Sequence, residues 1–147
     1  MPESAVPRGY ILAFDFGLRR IGVAVGQTTT QTATALKTVS NGPEPDWAAV
    51  DRLVAEWRPQ LLVVGLPLGA EGEETDMSKA ARRFGRTLGS RYELGVEYAD
   101  ERLTSRAAGG RFAEHRAAGQ LRRKHAGQLD AISAQIILEN WLQSAHV

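Results

Sequence analysis

The chain of 147 residues contains no cysteine, which excludes disulfides, thiolate metal sites such as zinc ribbons, and a thiol nucleophile. It also lacks a long apolar run. The longest is about LLVVGLPLG, far short of the ~20 residues that a membrane-spanning helix needs. The N-terminal MPESAVPRG has no basic segment leading into an apolar one, so no export signal is expected. A soluble, cytoplasmic protein is the expectation, with no membrane partner. Internal repeats and low-complexity tracts are missing as well. What is present, 43% apolar and 24% charged residues, is globular composition. At this length it implies a single domain over residues 1–147, with 1–8 and 144–147 expected as flexible tails.

Strong net charge is another absence, since the formal total is only +1. The distribution is uneven, however. Residues 1–77 carry 6 basic against 10 acidic side chains, and residues 78–125 carry 12 against 5. Fifteen of the eighteen basic residues are arginine, whose planar fork suits phosphate oxygens. An ordinary solvated surface explains a high arginine content, but its concentration in one block favours a polyanion partner.

The first forty residues read as strands: GYILAFDF and IGVAVG joined by the short GLRR as a hairpin, then the alternating TATALKTV. From Asp46, a good N-cap, the apolar spacing becomes helical through Trp47, Val50, Leu53, Val54 and Trp57, until Pro59 stops it. QLLVVGL lacks alternation, as a strand covered on both faces does. After the loop PLGAEGEE, Thr75 or Asp76 opens a helix to about residue 90. Met77, Ala81, Phe84 and Leu88 form its apolar side, and Lys79, Arg82, Arg83 and Arg86 a cationic stripe. ELGVEYA is a short strand, Thr104 is placed to cap a helix to about Phe112, and residues 114–128 read as a loop or frayed helix. LDAISAQIILENWLQS closes the chain as a helix with Leu129, Ile132, Ile136 and Ile137 as its apolar residues. Three strands in hairpin order followed by alternating helix and strand give an α/β mixed sheet with helices on both faces.

Asp15 stands inside the first apolar strand, between Phe14 and Phe16. A lone carboxylate there is costly to bury, so either the strand ends at water or a positive charge meets it. Period-two alternation puts Asp15 on the face of Ile11 and Ala13, and Gly17 ends the strand, which places the carboxylate at a carboxyl edge where open sheets carry their sites. Glu101, just past the last strand, and Asp130, near the start of the last helix, also adjoin apolar sequence. Three converging carboxylates would raise one another's pKa unless a cation joined them. With hard oxygen donors only, Mg²⁺ or Mn²⁺ is the natural choice, and two such ions suit phosphodiester hydrolysis.

DFGLRRIGVAVG, VVGLPLGAEG, ADERLTS and LDAISAQIIL, in this order over residues 10–143, resemble the YqgF/RuvX family of Holliday-junction resolvases and pre-ribosomal-RNA nucleases. The resemblance implies a ribonuclease H-like fold and a two-metal nuclease acting on RNA or branched DNA, as monomer or homodimer. It makes Asp15, Glu101 and Asp130 the catalytic metal-binding acids, puts Gly17 and Gly22 in the strand-turn-strand, and sets the GLPLGAEG loop beside the site. Relatives often carry a lysine just before the final acid, where this chain has Gln128, which leaves open whether Lys124 serves instead.

Asp100 competes with Glu101 for the third element's acid, although successive residues of an extended segment point oppositely. Lys79, Arg82, Arg83, Arg86, Arg102, Arg122, Arg123 and Lys124 are the candidates for nucleic-acid contacts, with a surface salt bridge the equal alternative for Arg102. His125 and Thr104 are auxiliary candidates, against an ordinary surface histidine and a helix cap. Trp47 and Trp57, on an apolar helical face, read as core rather than stacking platforms. Two rivals remain. An actin-like ATPase would share the first motif but needs a second domain, and a non-catalytic nucleic-acid-binding protein would need only the basic block.

Overall fold

In the computed structural model, residues 9–102 and 126–145 are described. Three strands open the chain, β1 (Tyr10–Phe16), β2 (Arg20–Gln27) and β3 (Thr32–Ser40). Helix α1 (Trp47–Trp57), strand β4 (Leu61–Leu66), helix α2 (Asp76–Tyr92), strand β5 (Val96–Asp100) and helix α3 (Ala126–Ala145) follow. They form one five-stranded sheet in the order β3-β2-β1-β4-β5. The first three strands are antiparallel neighbours, and β4 and β5 run parallel to β1. The expected α/β mixed sheet is therefore the one observed.

Strand alternation divides the core in two. Leu12, Phe14, Ile21, Val23, Leu62 and Val64 point to one face, beneath Val50 and Leu53 of α1 and Ala81, Phe84 and Leu88 of α2. Ile11, Ala13, Leu61, Val63 and Ala99 point to the other, beneath Ile137, Leu138 and Leu142 of α3. Each fully buried side chain of this size contributes roughly 1.5–3 kcal/mol. Trp47 and Trp57 are half-buried against the first cluster, Trp47 stacked on Phe84 and Trp57 edge-on to Tyr10.

Local signals set the helix boundaries. The Asp46 side chain accepts from Ala49 N, and Thr75 caps α2 in a reciprocal box with Ser78. Helix α1 ends through a left-handed Arg58 ahead of Pro59. Two boundaries depart from expectation at the C-terminal end. Helix α3 begins at Ala126, inside the stretch expected to be loop or frayed helix, and runs to Ala145, two residues into the expected tail. Its buried residues are Ala131, Ala134, Ile136, Ile137, Leu138 and Leu142, with the expected Leu129 and Ile132 only partly covered. Small alanines let this helix lie low on the sheet, so burial does not follow residue size. The proposed helix from Thr104, and residues 1–8 and 146–147, lie outside the described residues. No described helix is long and apolar enough to cross a membrane.

Helix α3 lies close because β2 offers it almost no side chains. On the facing side β2 carries Gly22, Ala24 and Gly26. A methyl on Gly22 would overlap the Asp130 carbonyl, and one on Gly26 would lie 2.8 Å from Leu138 Cδ2. A bulge in β3 adds a polar tie. Val23 pairs with Lys37 and Ala24 with Ala35, so Leu36 is the extra residue, and Ala35 N donates to Gln135 Oε1 at 3.1 Å.

Candidate active site

Asp15 ends β1 on the α3 face, paired across the hairpin with Gly22. Since Gly22 is the residue on which the Asp130 backbone rests, one strand pair fixes two of the acids as neighbours. The third acid comes from the opposite direction. β4 separates β1 from β5, so carboxylates on those two strands start roughly two strand spacings, about 9.6 Å, apart. Gly65 of β4 bridges that gap by having no side chain. A methyl there would lie 2.6 Å from Glu101 Oε2 and 2.7 Å from Ile137 Cδ1, so the Glu101 carboxyl lies across the β4 backbone toward Asp15. The longer acid stands just past the end of the farther strand.

Asp15 and Glu101 share a hydrogen bond, and among the described residues no lysine or arginine pairs with either of them. Burial raises the Asp15 pKa well above the ordinary carboxylate value, and the charges of Glu101 and Asp130 push it further in the same direction. Burial also raises Glu101, opposed by the hydrogen bond from Asp15 and assisted by the charge of Asp100. Two buried carboxyl groups facing each other offer the hard oxygen donors that suit a divalent cation.

Asp130 is turned elsewhere. Arg20 Nε donates to its Oδ2 at 2.6 Å. Among the described residues no three metal-ligating side chains stand together in this conformation. The donor types suit Mg²⁺ or Mn²⁺, and the Asp130 backbone is seated on Gly22, the residue that pairs with Asp15.

Asp100 resolves as the alternation argument requires. It faces the α2 side, where Arg102 Nε and Nη2 both donate to it, and its pKa is lowered chiefly by that contact. Glu101, the next residue, is the acid directed at Asp15. Arg102 is thereby tied to Asp100, and its Nη1 also donates to Ala70 O in the β4–α2 loop at 3.3 Å. The expected four-cation stripe on α2 also divides. Arg82 pairs with Glu74 at 2.8 Å and lies over the Tyr98 ring, whereas Lys79, Arg83 and Arg86 are exposed. Arg83 and Arg86 line a shallow groove with Thr87, Ser90 and Arg91. Thr104, Arg122, Arg123, Lys124 and His125 lie outside the described residues.

Gly65 opens the GLPLGAEG segment that the family resemblance sets beside the site, but it lies inside β4, a glycine among large apolar residues, rather than in a loop. Two contributors went unnoticed in the sequence. Buried Asn41 braces the β1–β2 turn, donating from Nδ2 to Gly17 O at 2.6 Å and from its backbone N to Arg19 O at 2.8 Å. Arg20 carried no local signal, because its partner is 110 residues away.

Comparison with known proteins agrees with this geometry. The RuvX family, described as "Holliday junction resolvase", matches residues 9–144. A protein named "Putative pre-16S rRNA nuclease" from Xylella fastidiosa is 48% identical over 145 residues, covering 97% of this chain and 94% of the relative. Another of that name from Aeromonas hydrophila is 43% identical over 137 residues, covering 92% and 96%. Among solved structures, T. thermophilus RuvC in complex with Holliday junction substrate superposes with a TM-score of 0.57 at 15% identity, over 93% of this chain and 96% of that one. That likeness establishes the ribonuclease H-like sheet. With the family match running from the start of β1 almost to the end of α3, the chain belongs to the RuvX family.

Proposed function

We propose that this protein is a divalent-metal-dependent nuclease that hydrolyses phosphodiester bonds in structured nucleic acid, with precursor ribosomal RNA and the four-way DNA junction as its candidate substrates. The observation that carries the reading is the Asp15–Glu101 pair, two facing buried carboxyls with no lysine or arginine partner among the described residues. The names of the relatives, nucleases of pre-16S rRNA, and the junction-bound RuvC fold support the substrate class.

In this reading Asp15, Glu101 and Asp130 hold Mg²⁺ or Mn²⁺, with two ions expected. Bound metal supplies the charge that activates a water and stabilises the leaving oxygen. The chain's own groups do the rest. Asp15 presents its oxygens from the end region of β1 and Glu101 from just past β5. Asp130 enters from α3 at the depth that Gly22 allows. Lys79, Arg83 and Arg86, followed by Arg122, Arg123 and Lys124, meet backbone phosphates without reading sequence, so substrate choice rests on shape. His125 and Thr104 are auxiliary groups in the same scheme.

The test is a panel of end-labelled four-way junction, duplex DNA, single-stranded RNA and structured precursor-like RNA, incubated with Mg²⁺ or Mn²⁺ beside Asp15→Asn. Metal-dependent cleavage that is lost in the variant is expected. Salt-sensitive binding without cleavage of any polymer would overturn the catalytic reading in favour of a binding protein.

A further inference from the structure

Arg20 opens β2 and points to the same face as Gly22, the face on which α3 lies. Its guanidinium Nε reaches Asp130 Oδ2 at 2.6 Å. The Asp130 backbone has little freedom, because its carbonyl sits where a Gly22 side chain would be. From that fixed origin its side chain is turned to Arg20. The charge of Asp130 is still felt at Asp15, so the two positions are near one another.

We infer that Arg20 is a positioning residue that holds Asp130 out of the acid pair in the metal-free protein and competes with a divalent cation for its carboxylate. The inference rests on the reading of Asp15, Glu101 and Asp130 as metal ligands. Three carboxylates pointing at one another without a cation would repel, and Arg20 relieves that repulsion by drawing one aside. The contact is made to be broken. Both side chains are substantially exposed, at 49% and 29%, and exposed ion pairs are weak and screened. A fully buried pair would have locked Asp130 away from the metal, because separating it would strand a desolvated charge.

The experiment is a Mn²⁺ titration, followed calorimetrically or by the electron paramagnetic resonance of free Mn²⁺, with no nucleic acid present. Removing the competitor in Arg20→Met is expected to tighten Mn²⁺ binding about two- to fivefold, the range set by an exposed ion pair. Arg20→Lys, which keeps a cation within reach of Asp130, is expected to stay near the wild type. Arg19→Met removes a neighbouring exposed charge that makes no contact with Asp130, and is expected to change little. In an Asp130→Asn background the effect of Arg20→Met should vanish. Unchanged or weaker binding in Arg20→Met, or an equal gain in the Asp130→Asn background, would overturn the inference and leave the metal reading standing. No Mn²⁺ binding by the wild type would overturn both.

Discussion

On the side of the sheet covered by α1 and α2, acids are matched with bases. Asp51 accepts from Arg91 and Tyr92, and these hydrogen bonds lower its pKa to about 2. Glu74 is lowered by Arg82, and Asp100 by Arg102. On the α3 side, Asp15 and Glu101 meet each other, and both are raised by burial. The contrast is sharpest between Asp100 and Glu101, consecutive residues whose side chains leave the strand end on opposite faces and whose ionisation shifts in opposite directions. Among the described residues, arginines pair with Asp51, Glu74, Asp100 and Asp130, whereas Asp15 and Glu101 have only each other. In the proposed reading such a pair costs stability in the metal-free protein and recovers it on binding a divalent cation.

The largest expected effect comes from the unpaired side. Asp15→Asn should lower cleavage by about a hundredfold or more, an order set by losing one group that stabilises developing charge, as measured by single-turnover cleavage. Gly22→Ala breaks the same region through packing instead, because the added methyl meets a helix backbone that cannot rotate away. It should cost about 1–3 kcal/mol in denaturant unfolding. Gly65→Ala presses mainly on side-chain ends, Glu101 Oε2 and Ile137 Cδ1. It should weaken Mn²⁺ binding with a smaller loss of stability than Gly22→Ala.

Acidity offers a gentler way to separate the two faces. Folded-state pKa values raised at Asp15 and Glu101 mean that the metal-free native state holds more protons than the unfolded chain above the ordinary carboxylate range. Stability from this pair is therefore present at low pH and lost as pH rises through the raised values. The lowered values at Asp51, Glu74 and Asp100 act oppositely, and their contribution is lost as pH falls from about 4 toward 2. Thermal unfolding against pH should show both limbs, and saturating Mn²⁺ should flatten only the alkaline one. The smallest effect belongs to Asp100→Asn. It removes a largely exposed pair and should leave Mn²⁺ affinity unchanged in titration, while Glu101→Gln on the neighbouring residue weakens it.

Much of this arrangement was legible in the sequence because strand alternation is a local rule. Ile11, Ala13 and Asp15 share a face by counting alone, and the same count sends Asp100 and Glu101 apart. The acids were legible as carboxylates adjoining apolar runs, and the family resemblance joined them into one site. What could not be read depends on distances between elements. Gly65 matters because β4 happens to lie between β1 and β5, a neighbour relation that no segment encodes by itself. The Arg20–Asp130 contact requires α3 to be laid along β2. The shortfall at the start of α3 has a different origin, since the polar, glycine-bearing segment before Leu129 has no apolar stripe to announce a helix, and packing farther along carries its first turn.

The most direct measurement of the central claim is the thermal stability of the wild type and Asp15→Asn at pH 7.5, each with and without Mn²⁺. If Asp15 and Glu101 are an uncompensated pair awaiting a cation, the metal-free variant should melt above the metal-free wild type, and Mn²⁺ should stabilise the wild type much more than the variant. A variant that melts below the wild type, with an undiminished response to Mn²⁺, would contradict the account.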